Sequence, residues 1–307
     1  MNYKKANLAY LLMILSTLVL VFVLSAVYLV SGKEPSVVGS NVLCEVVVLI
    51  PALAVAFFCG ENIKVLIPLH RIKVSSALLT LLYVMLLFPL VTLLNAFSML
   101  FVENAVSQIS DEVLEMPMWV MVLSMGIFGP FVEEIVFRGI LLQTYQRTGR
   151  IVASIILSSV LFGMMHMNFN QFIYGAGMGV MFALLVEATG SVLTSFIAHA
   201  FFNTIEVVGL FLSKDSVGKE TSKLTDQLQM LSDVVLYAEL AVLAVIFTCL
   251  AMLVVSKIAK IEKREAFFVN IIKTKKEGPR LISASLIVAI IIAVLYMVLT
   301  AVIDKIL

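Results

Sequence analysis

The residues of this sequence best suited to chemistry are two adjacent glutamates and an arginine inside an apolar run. Glu133, Glu134 and Arg138 lie in the segment FVEEIVFRG at 131–139. In lipid, a charge costs several kcal/mol unless it is paired or reached by a water-filled cavity. On a helix, Glu134 and Arg138 are four residues apart with the acid first, which favours an ion pair. The spacing predicts that Glu134 is neutralised locally and that Glu133, about 100° away, needs another partner.

Two of the three histidines lie in the same apolar part of the chain and are the candidate partners. The midpoint between Glu133 and His166 falls at residues 149–150, inside a basic turn. An antiparallel helical hairpin about that turn would place Glu133 or Glu134 at the depth of His166. His199 lies about eight residues into the helix predicted to begin near Ser191, so its depth agrees as well. The sequence therefore predicts that these side chains meet inside the membrane.

Neighbouring residues are predicted to support this group. Phe162 precedes His166 by four residues, so its ring can pack against the imidazole. Asn203 shares a helical face with His199, and Glu206 continues that face. Pro130 removes a helical hydrogen bond to the carbonyl of residue 126, which predicts a kink or an exposed carbonyl just before the acids.

A carboxylate beside an imidazole in a cavity of low dielectric constant is suited to act as a general base. Its natural proton donor is water, while His199 and Asn203 supply N–H groups that can stabilise an oxyanion. This combination predicts hydrolysis of an amide bond. No Ser or Cys accompanies a His in the pattern of a nucleophile and its base, so direct attack by water is favoured.

The composition indicates the environment in which this chain folds. The 307 residues are 62% hydrophobic and 13% charged, and the mean hydropathy is +1.10, which indicates an all-α polytopic membrane protein. The net charge of +1 and the lack of a basic run interleaved with aromatic residues predict no nucleic-acid partner. The three cysteines lie in apolar runs without a CxxC pair, which argues against a disulfide framework and a cysteine metal site.

Apolar runs at about 8–30, 41–59, 75–102, 117–145, 151–166, 171–188, 191–212, 234–256 and 281–303 predict eight or nine transmembrane helices. The first run is too long for the core of a signal peptide, so it is predicted to be retained. We expect a single integral membrane domain over 1–307. Its catalytic core spans about 117–212, and scaffold helices lie in 1–116 and 213–307.

Basic residues orient the helices. Lys4 and Lys5, the loop at 64–73, the turn at 147–150 and the loop at 257–280 carry most of the lysine and arginine, whereas the loop at 103–116 is acidic. Because basic loops remain in the cytoplasm, the N-terminus is predicted to be cytoplasmic and the C-terminus to lie outside. The basic loop at 257–280 is expected to contact anionic membrane lipid.

The three motifs together resemble a known family. In order along the chain, Glu133-Glu134-x-x-x-Arg138, Phe162-x-x-x-His166 and His199-x-x-x-Asn203 are similar to the motifs of the CPBP intramembrane proteases. This group of CAAX-protease and bacteriocin-processing proteins is also called the Abi family. The resemblance covers about residues 117–212 and points to a type II CAAX prenyl endopeptidase-like enzyme.

The resemblance implies an intramembrane glutamic endopeptidase of hydrophobic or membrane-associated peptides. Its substrates would be prenylated CAAX-type, bacteriocin or signalling peptides. Glu133 then resembles the water-activating acid, assisted by His166, while His199 and Asn203 resemble the oxyanion-stabilising pair. Glu134 and Arg138 match the remaining motif positions and are interpreted as an orienting ion pair.

A metalloprotease is the alternative mechanism, with Zn2+ held by Glu133, His166 and His199. A helical HExxH motif is absent, and an acid-activated water explains the residues without a cofactor, so the metal-free mechanism is favoured.

Two other functions use the same residues. One is a non-catalytic bacteriocin-immunity or membrane peptide-binding protein. The other is an ion-coupled transporter, which the absence of inverted repeats and matching broken helices disfavours. The resemblance favours a bacterial cytoplasmic membrane, and the sequence predicts no oligomeric state.

Overall fold

The computed structural model describes residues 1–33, 35–213, 226–271 and 278–306, and every regular element within these ranges is helical. The long elements are α1 (Tyr3–Ser31), α2 (Val37–Phe58), α3 (Val74–Ser98), α4 (Met118–Gln146), α5 (Ile151–Met165), α6 (Phe169–Thr189), α7 (Val192–Ser213), α8 (Asp226–Ile261) and α9 (Ala284–Ile306). Short helices occur at Ile63–Leu66, Ala105–Gln108, Ser110–Glu115 and Glu265–Asn270.

Eight helices of the described chain are long and apolar enough to cross a membrane, which confirms the all-α polytopic architecture. The ninth apolar run predicted from the sequence is α5, which has only 15 residues. Its length is about 22 Å at 1.5 Å per residue, less than a hydrocarbon core of about 30 Å. Met167, in the connection that follows, and Asn170, in the first turn of α6, are both buried in protein. This burial satisfies the requirement that irregular backbone at membrane depth be covered.

The ends of α6 follow from local sequence. Met167 adopts a positive φ of 57° between α5 and α6, which reverses the chain within a few residues. The side chain of Asn168 then caps α6 by accepting a hydrogen bond from the backbone N–H of Gln171 at 2.8 Å. Gly190 ends α6 in the left-handed conformation, with a φ of 75°. The short connections hold α5, α6 and α7 as antiparallel neighbours.

Helix α4 is not a regular α-helix. The segments Val122–Phe128 and Ile135–Leu141 are π-helical, and the α-helical Gly129–Glu134 lies between them. The backbone N–H of Gly129 donates to the carbonyl of Ser124, five residues earlier. In this register the next carbonyl, that of Met125, faces Pro130, which has no N–H to donate. The exposed carbonyl predicted at residue 126 is therefore displaced by one residue to Met125.

The helices of the predicted catalytic core lie between two groups of scaffold helices. On one side α1 packs against α2 and α9, and α2 also packs along α4. On the other side α3 packs against α6, α7 and α8. Helices α5 and α6 pack closely together, and α7 crosses the first π-helical segment of α4. The residues expected to do chemistry therefore lie on α4, α5 and α7, in the centre of the bundle.

The basic segments meet at one end of the bundle. Glu61, after α2, forms ion pairs with the N-terminal amine of Met1 and with Arg147, whose Nη1 lies 2.8 Å from it. Arg150 donates from Nε to the carbonyl of Gly278 at 2.6 Å. These segments therefore share one side, as the charge pattern predicts, and the assignment of that side to the cytoplasm stays a prediction. Three lysines of the basic loop, Lys273, Lys275 and Lys276, lie outside the described residues.

Candidate active site

The predicted ion pair between Glu134 and Arg138 is present and lies in the protein interior. Glu134 Oε1 is 3.0 Å from Arg138 Nη1, and both side chains are fully buried. The guanidinium also lies 4.3 Å from the centre of the Phe162 ring and donates to the carbonyl of Gly179 at 3.3 Å. A cation over an aromatic face is stabilised by the ring quadrupole. The arginine therefore links α4 to α5 and α6.

His199 contacts both glutamates of α4. Its Nδ1 lies 2.9 Å from Glu134 Oε1, and its Nε2 lies 3.5 Å from Glu133 Oε2. Because the ionised, arginine-paired carboxylate of Glu134 only accepts hydrogen bonds, Nδ1 is the protonated nitrogen. In the neutral ring, Nε2 then carries a lone pair that points toward Glu133. The sequence predicted the position of His199 but not its bond to Glu134.

His166 approaches Glu133 from the C-terminal end of α5. Its Nε2 lies 3.8 Å from Glu133 Oε1, and its Nδ1 lies 3.1 Å from the backbone carbonyl of Phe162. A carbonyl accepts only, so Nδ1 donates and the lone pair of the neutral ring is again on Nε2. The predicted packing of Phe162 on His166 is present, with an edge-to-face separation of 5.2 Å. The partner predicted for Glu133 is therefore in place.

The geometry around Glu133 favours a bound molecule that donates hydrogen bonds. The two Nε2 atoms lie beyond the 2.7–3.2 Å range of a direct hydrogen bond to this carboxylate. Both nitrogens and both carboxylate oxygens are acceptors when the histidines are neutral. A molecule with hydrogens to donate, such as water, satisfies several of these acceptors at once. With 17% of its side chain exposed, Glu133 is not sealed inside the protein.

Close packing of α5 on α6 fixes the position of His166. A Cβ atom placed on Gly163 would lie 2.6 Å from the carbonyl oxygen of Phe172, so only glycine allows the two backbones to approach this closely. Gly163 precedes His166 by three residues. The glycine thereby allows α6 to lie close to the end of α5 that carries the imidazole.

Asn203 lies near the site but is bonded to the backbone of α4. Its Nδ2 donates to the carbonyl of Met125 at 3.1 Å, the carbonyl that Pro130 leaves without a backbone donor. The second N–H of the amide remains available to another acceptor. Glu206, predicted to support this face, is exposed and forms no hydrogen bond or ion pair with a described residue. The structure therefore brings Asn203 to α4 and leaves Glu206 at the surface.

Two features of the site were not found from the sequence. The hydrogen bond between His199 and Glu134 joins residues 65 positions apart, and no local spacing indicates it. Glu45 on α2 lies against Gly129, with Oε1 3.4 Å from the position of a Cβ atom on that glycine. The available signal was a single carboxylate in an otherwise apolar span, a feature that often marks a functional position.

The zinc site predicted as an alternative would use the side chains of Glu133, His166 and His199. No group of three or more His, Cys, Asp or Glu residues in the described chain is arranged to hold a metal ion. Glu133, His166 and His199 approach one another, but they do not form such a group. The metal-free mechanism stays a prediction.

Comparisons with known proteins agree with the resemblance over the central part of the chain. Residues 115–205 match the family described as "Type II CAAX prenyl endopeptidase Rce1-like". Over 101 residues the chain is 35% identical to "Putative membrane peptidase YdiL" of Bacillus subtilis (strain 168). The aligned region is 33% of this chain and 40% of that relative, so the chain spans well under half the length of the protein it matches. No solved structure matches the chain.

Proposed function

From the match of residues 115–205 to the Rce1-like family of type II CAAX prenyl endopeptidases, we propose that the protein is an intramembrane endopeptidase. It hydrolyses a peptide bond of a hydrophobic or membrane-associated peptide by direct attack of water. The observation that carries the proposal is the approach of two imidazole Nε2 atoms to the Glu133 carboxylate, at 3.5 and 3.8 Å. Three helices supply these groups, and α4 carries the buried ion pair beside them.

Glu133 is the general base of the proposed reaction. It removes a proton from a water molecule. The lone pair on Nε2 of His166 points toward Glu133, so it accepts a hydrogen bond from the second hydrogen of this water and orients the oxygen. The oxygen attacks the carbonyl carbon of the peptide. The carbon–nitrogen bond then breaks, and the proton held by Glu133 passes to the leaving amine. The carboxylate is regenerated without a covalent enzyme intermediate.

His199 and Asn203 stabilise the oxyanion that forms on the attacked carbonyl. Since Nδ1 of His199 donates to Glu134, donation from Nε2 as well requires the imidazolium form. The carboxylate of Glu134 stabilises that form, as an acid partner does for the histidine of other hydrolases. Asn203 contributes the N–H that is not bonded to the carbonyl of Met125. The Glu134–Arg138 pair thereby acts on the reaction through His199.

Replacement of Glu133 by Gln tests the proposal, because it keeps the shape of the side chain but removes the base. We expect the purified variant to fold, with a thermal midpoint close to that of the wild type. Its cleavage of hydrophobic peptides, followed by mass spectrometry, should fall by more than about 100-fold. A Glu133→Gln protein that still processes peptide would contradict the assignment. A protein that binds peptides but cleaves none in either form would be a binding protein instead.

The proposed location is a bacterial cytoplasmic membrane, with the N-terminus in the cytoplasm. The basic residues at one end of the bundle support this orientation. Labelling of single cysteines with a membrane-impermeant thiol reagent in intact cells tests it, in a background in which Cys44, Cys59 and Cys249 are replaced. A cysteine at Lys64 should be protected and one at Glu112 labelled, and the reverse pattern would invert the topology.

A further inference from the structure

Glu45 lies beside the site although α2 is outside the segment that matches the family. Asn41, one turn earlier on α2, donates to the carbonyl and the hydroxyl of Ser124 at 3.3 and 3.0 Å. These bonds fix the register of α2 on α4. In that register Glu45 Oε1 lies 3.4 Å from where a Cβ atom of Gly129 would be. The absence of a side chain at Gly129 gives the Glu45 carboxyl direct access to the surface of α4.

Glu45 is one helical turn from the proposed general base. Gly129 and Glu133 are four residues apart in the α-helical part of α4, so they share a face. The Cβ positions of such a pair are about 5–6 Å apart. The Glu45 carboxyl therefore borders the space in front of Glu133, on the side toward the start of α4, and the two acids interact electrostatically.

Within the described chain, the Glu45 carboxyl has neither an ion-pair partner nor a hydrogen-bond donor. Among the described residues, the guanidinium nearest the two glutamates of α4 is that of Arg138, and it is already paired with Glu134. Glu45 thus has no fixed positive charge beside it in the described part of the chain. An acid inside the membrane is costly unless it is compensated. A molecule that brings a positive charge to the site would supply this compensation.

We propose that Glu45 is a specificity-determining residue that binds an ammonium or guanidinium group of the substrate. This inference rests on the proposed peptidase function and names the substrate class as a hydrophobic peptide with a basic residue near the cleaved bond. One helical turn is about 5.4 Å, and an extended peptide advances about 3.3 Å per residue. The basic residue therefore lies within about three positions of the cleaved bond. A substrate carboxylate at the same place is repelled.

The test uses internally quenched hydrophobic peptides that differ at one position, which carries Lys, norleucine or Glu. This position is scanned over three residues on each side of the cleaved bond. At one of these positions we expect the kcat/KM of the wild type for the Lys peptide to be about tenfold higher than its kcat/KM for the norleucine peptide. A difference of this size is expected from one charge-assisted hydrogen bond. The preference should disappear in Glu45→Gln and shift to the Glu peptide in Glu45→Lys. The matched control is Glu239→Gln, which removes an exposed acid on α8 and should keep the preference for Lys.

Binding measurements separate this inference from the peptidase assignment. In the Glu133→Gln background, which cannot use the base, the Lys peptide should bind about tenfold more tightly than the norleucine peptide. Adding Glu45→Gln should remove the difference, while the thermal midpoint shows that the double variant is folded. Equal affinities for the two peptides overturn the role of Glu45 whatever the cleavage results are. A preference that survives Glu45→Gln overturns it as well. A preference in binding without cleavage by the wild type supports Glu45 and contradicts the peptidase.

Discussion

Nδ1 of His199 lies 2.9 Å from Oε1 of Glu134, and this bond joins α7 to α4 across 65 residues of chain. The same carboxylate oxygen is 3.0 Å from Arg138 Nη1. Glu134 therefore does two things at once. It compensates a buried cation, and it fixes which nitrogen of His199 is protonated. These two tasks have different consequences when either partner is removed.

Glu134→Gln is expected to destabilise the protein and abolish activity together. The substitution leaves Arg138 buried without an anion, which costs about 3–5 kcal/mol. In a Glu134→Gln/Arg138→Met double variant the uncompensated charge is gone, so much of the thermal stability should return. Activity should stay low, because His199 still lacks its carboxylate. Thermal unfolding and peptide cleavage, measured on the same preparations, check both effects. If activity returns with stability, Glu134 has only a structural role.

His166 and His199 should differ in how much stability they contribute. The side chain of His166 is 20% exposed, whereas that of His199 is 6% exposed and bonded to Glu134. We expect His166→Gln to lower kcat by about 100-fold or more with little change in the thermal midpoint. His199→Gln should lower both kcat and the midpoint. Similar midpoints for the two variants would contradict the buried bond between His199 and Glu134.

Asn203→Ala should reduce kcat by about 100-fold, the usual loss for one oxyanion donor. Asn41→Ala is the matched control, because Asn41 also donates an amide hydrogen to a carbonyl of the π-helical segment Val122–Phe128. The two variants should lose similar stability, and only Asn203→Ala should lose turnover of a peptide that has no basic residue. Equal turnover in both variants would show that Asn203 only anchors α7 to α4.

Gly163→Ala tests whether the spacing of α5 and α6 positions the histidine. The added methyl would meet the Phe172 carbonyl at 2.6 Å, so the helices must separate, at a cost of about 1–3 kcal/mol. We expect lower stability and lower kcat, since His166 moves away from Glu133. Gly209→Ala on α7 is the control, because no other atom lies within 4 Å of the added methyl. An unchanged kcat in Gly163→Ala would show that the spacing of α5 and α6 does not affect catalysis.

Removal of divalent metal is expected to leave activity unchanged. The proposed mechanism uses only carboxylate, imidazole and amide groups, and the described acids and histidines form no metal-binding group. The measurement is peptide cleavage after exhaustive dialysis against a zinc chelator, with elemental analysis of the same sample. Loss of cleavage that added Zn2+ restores would replace the acid-activated water with a metalloprotease mechanism.

The sequence by itself determined that the protein is an all-α membrane protein, and it indicated the candidate residues of the active site. Long apolar runs specify helices because a helix satisfies its own backbone hydrogen bonds in lipid. Isolated charged and imidazole side chains in such runs are conspicuous because lipid penalises them. Fixed helical spacing was enough to predict the Glu134–Arg138 pair and the contact of Phe162 with His166, and hairpin arithmetic brought Glu133 to His166. All of these inferences are local or involve neighbouring helices.

Only the tertiary structure decided which nitrogen faces which oxygen, and which scaffold helix joins the site. The bond from His199 to Glu134 and the approach of Glu45 to Gly129 depend on how α7 and α2 pack against α4. The one-residue displacement of the exposed carbonyl came from the π-helical register, which Pro130 alone does not specify. Helix packing is the sum of many weak contacts among similar apolar side chains, so a linear pattern does not encode it.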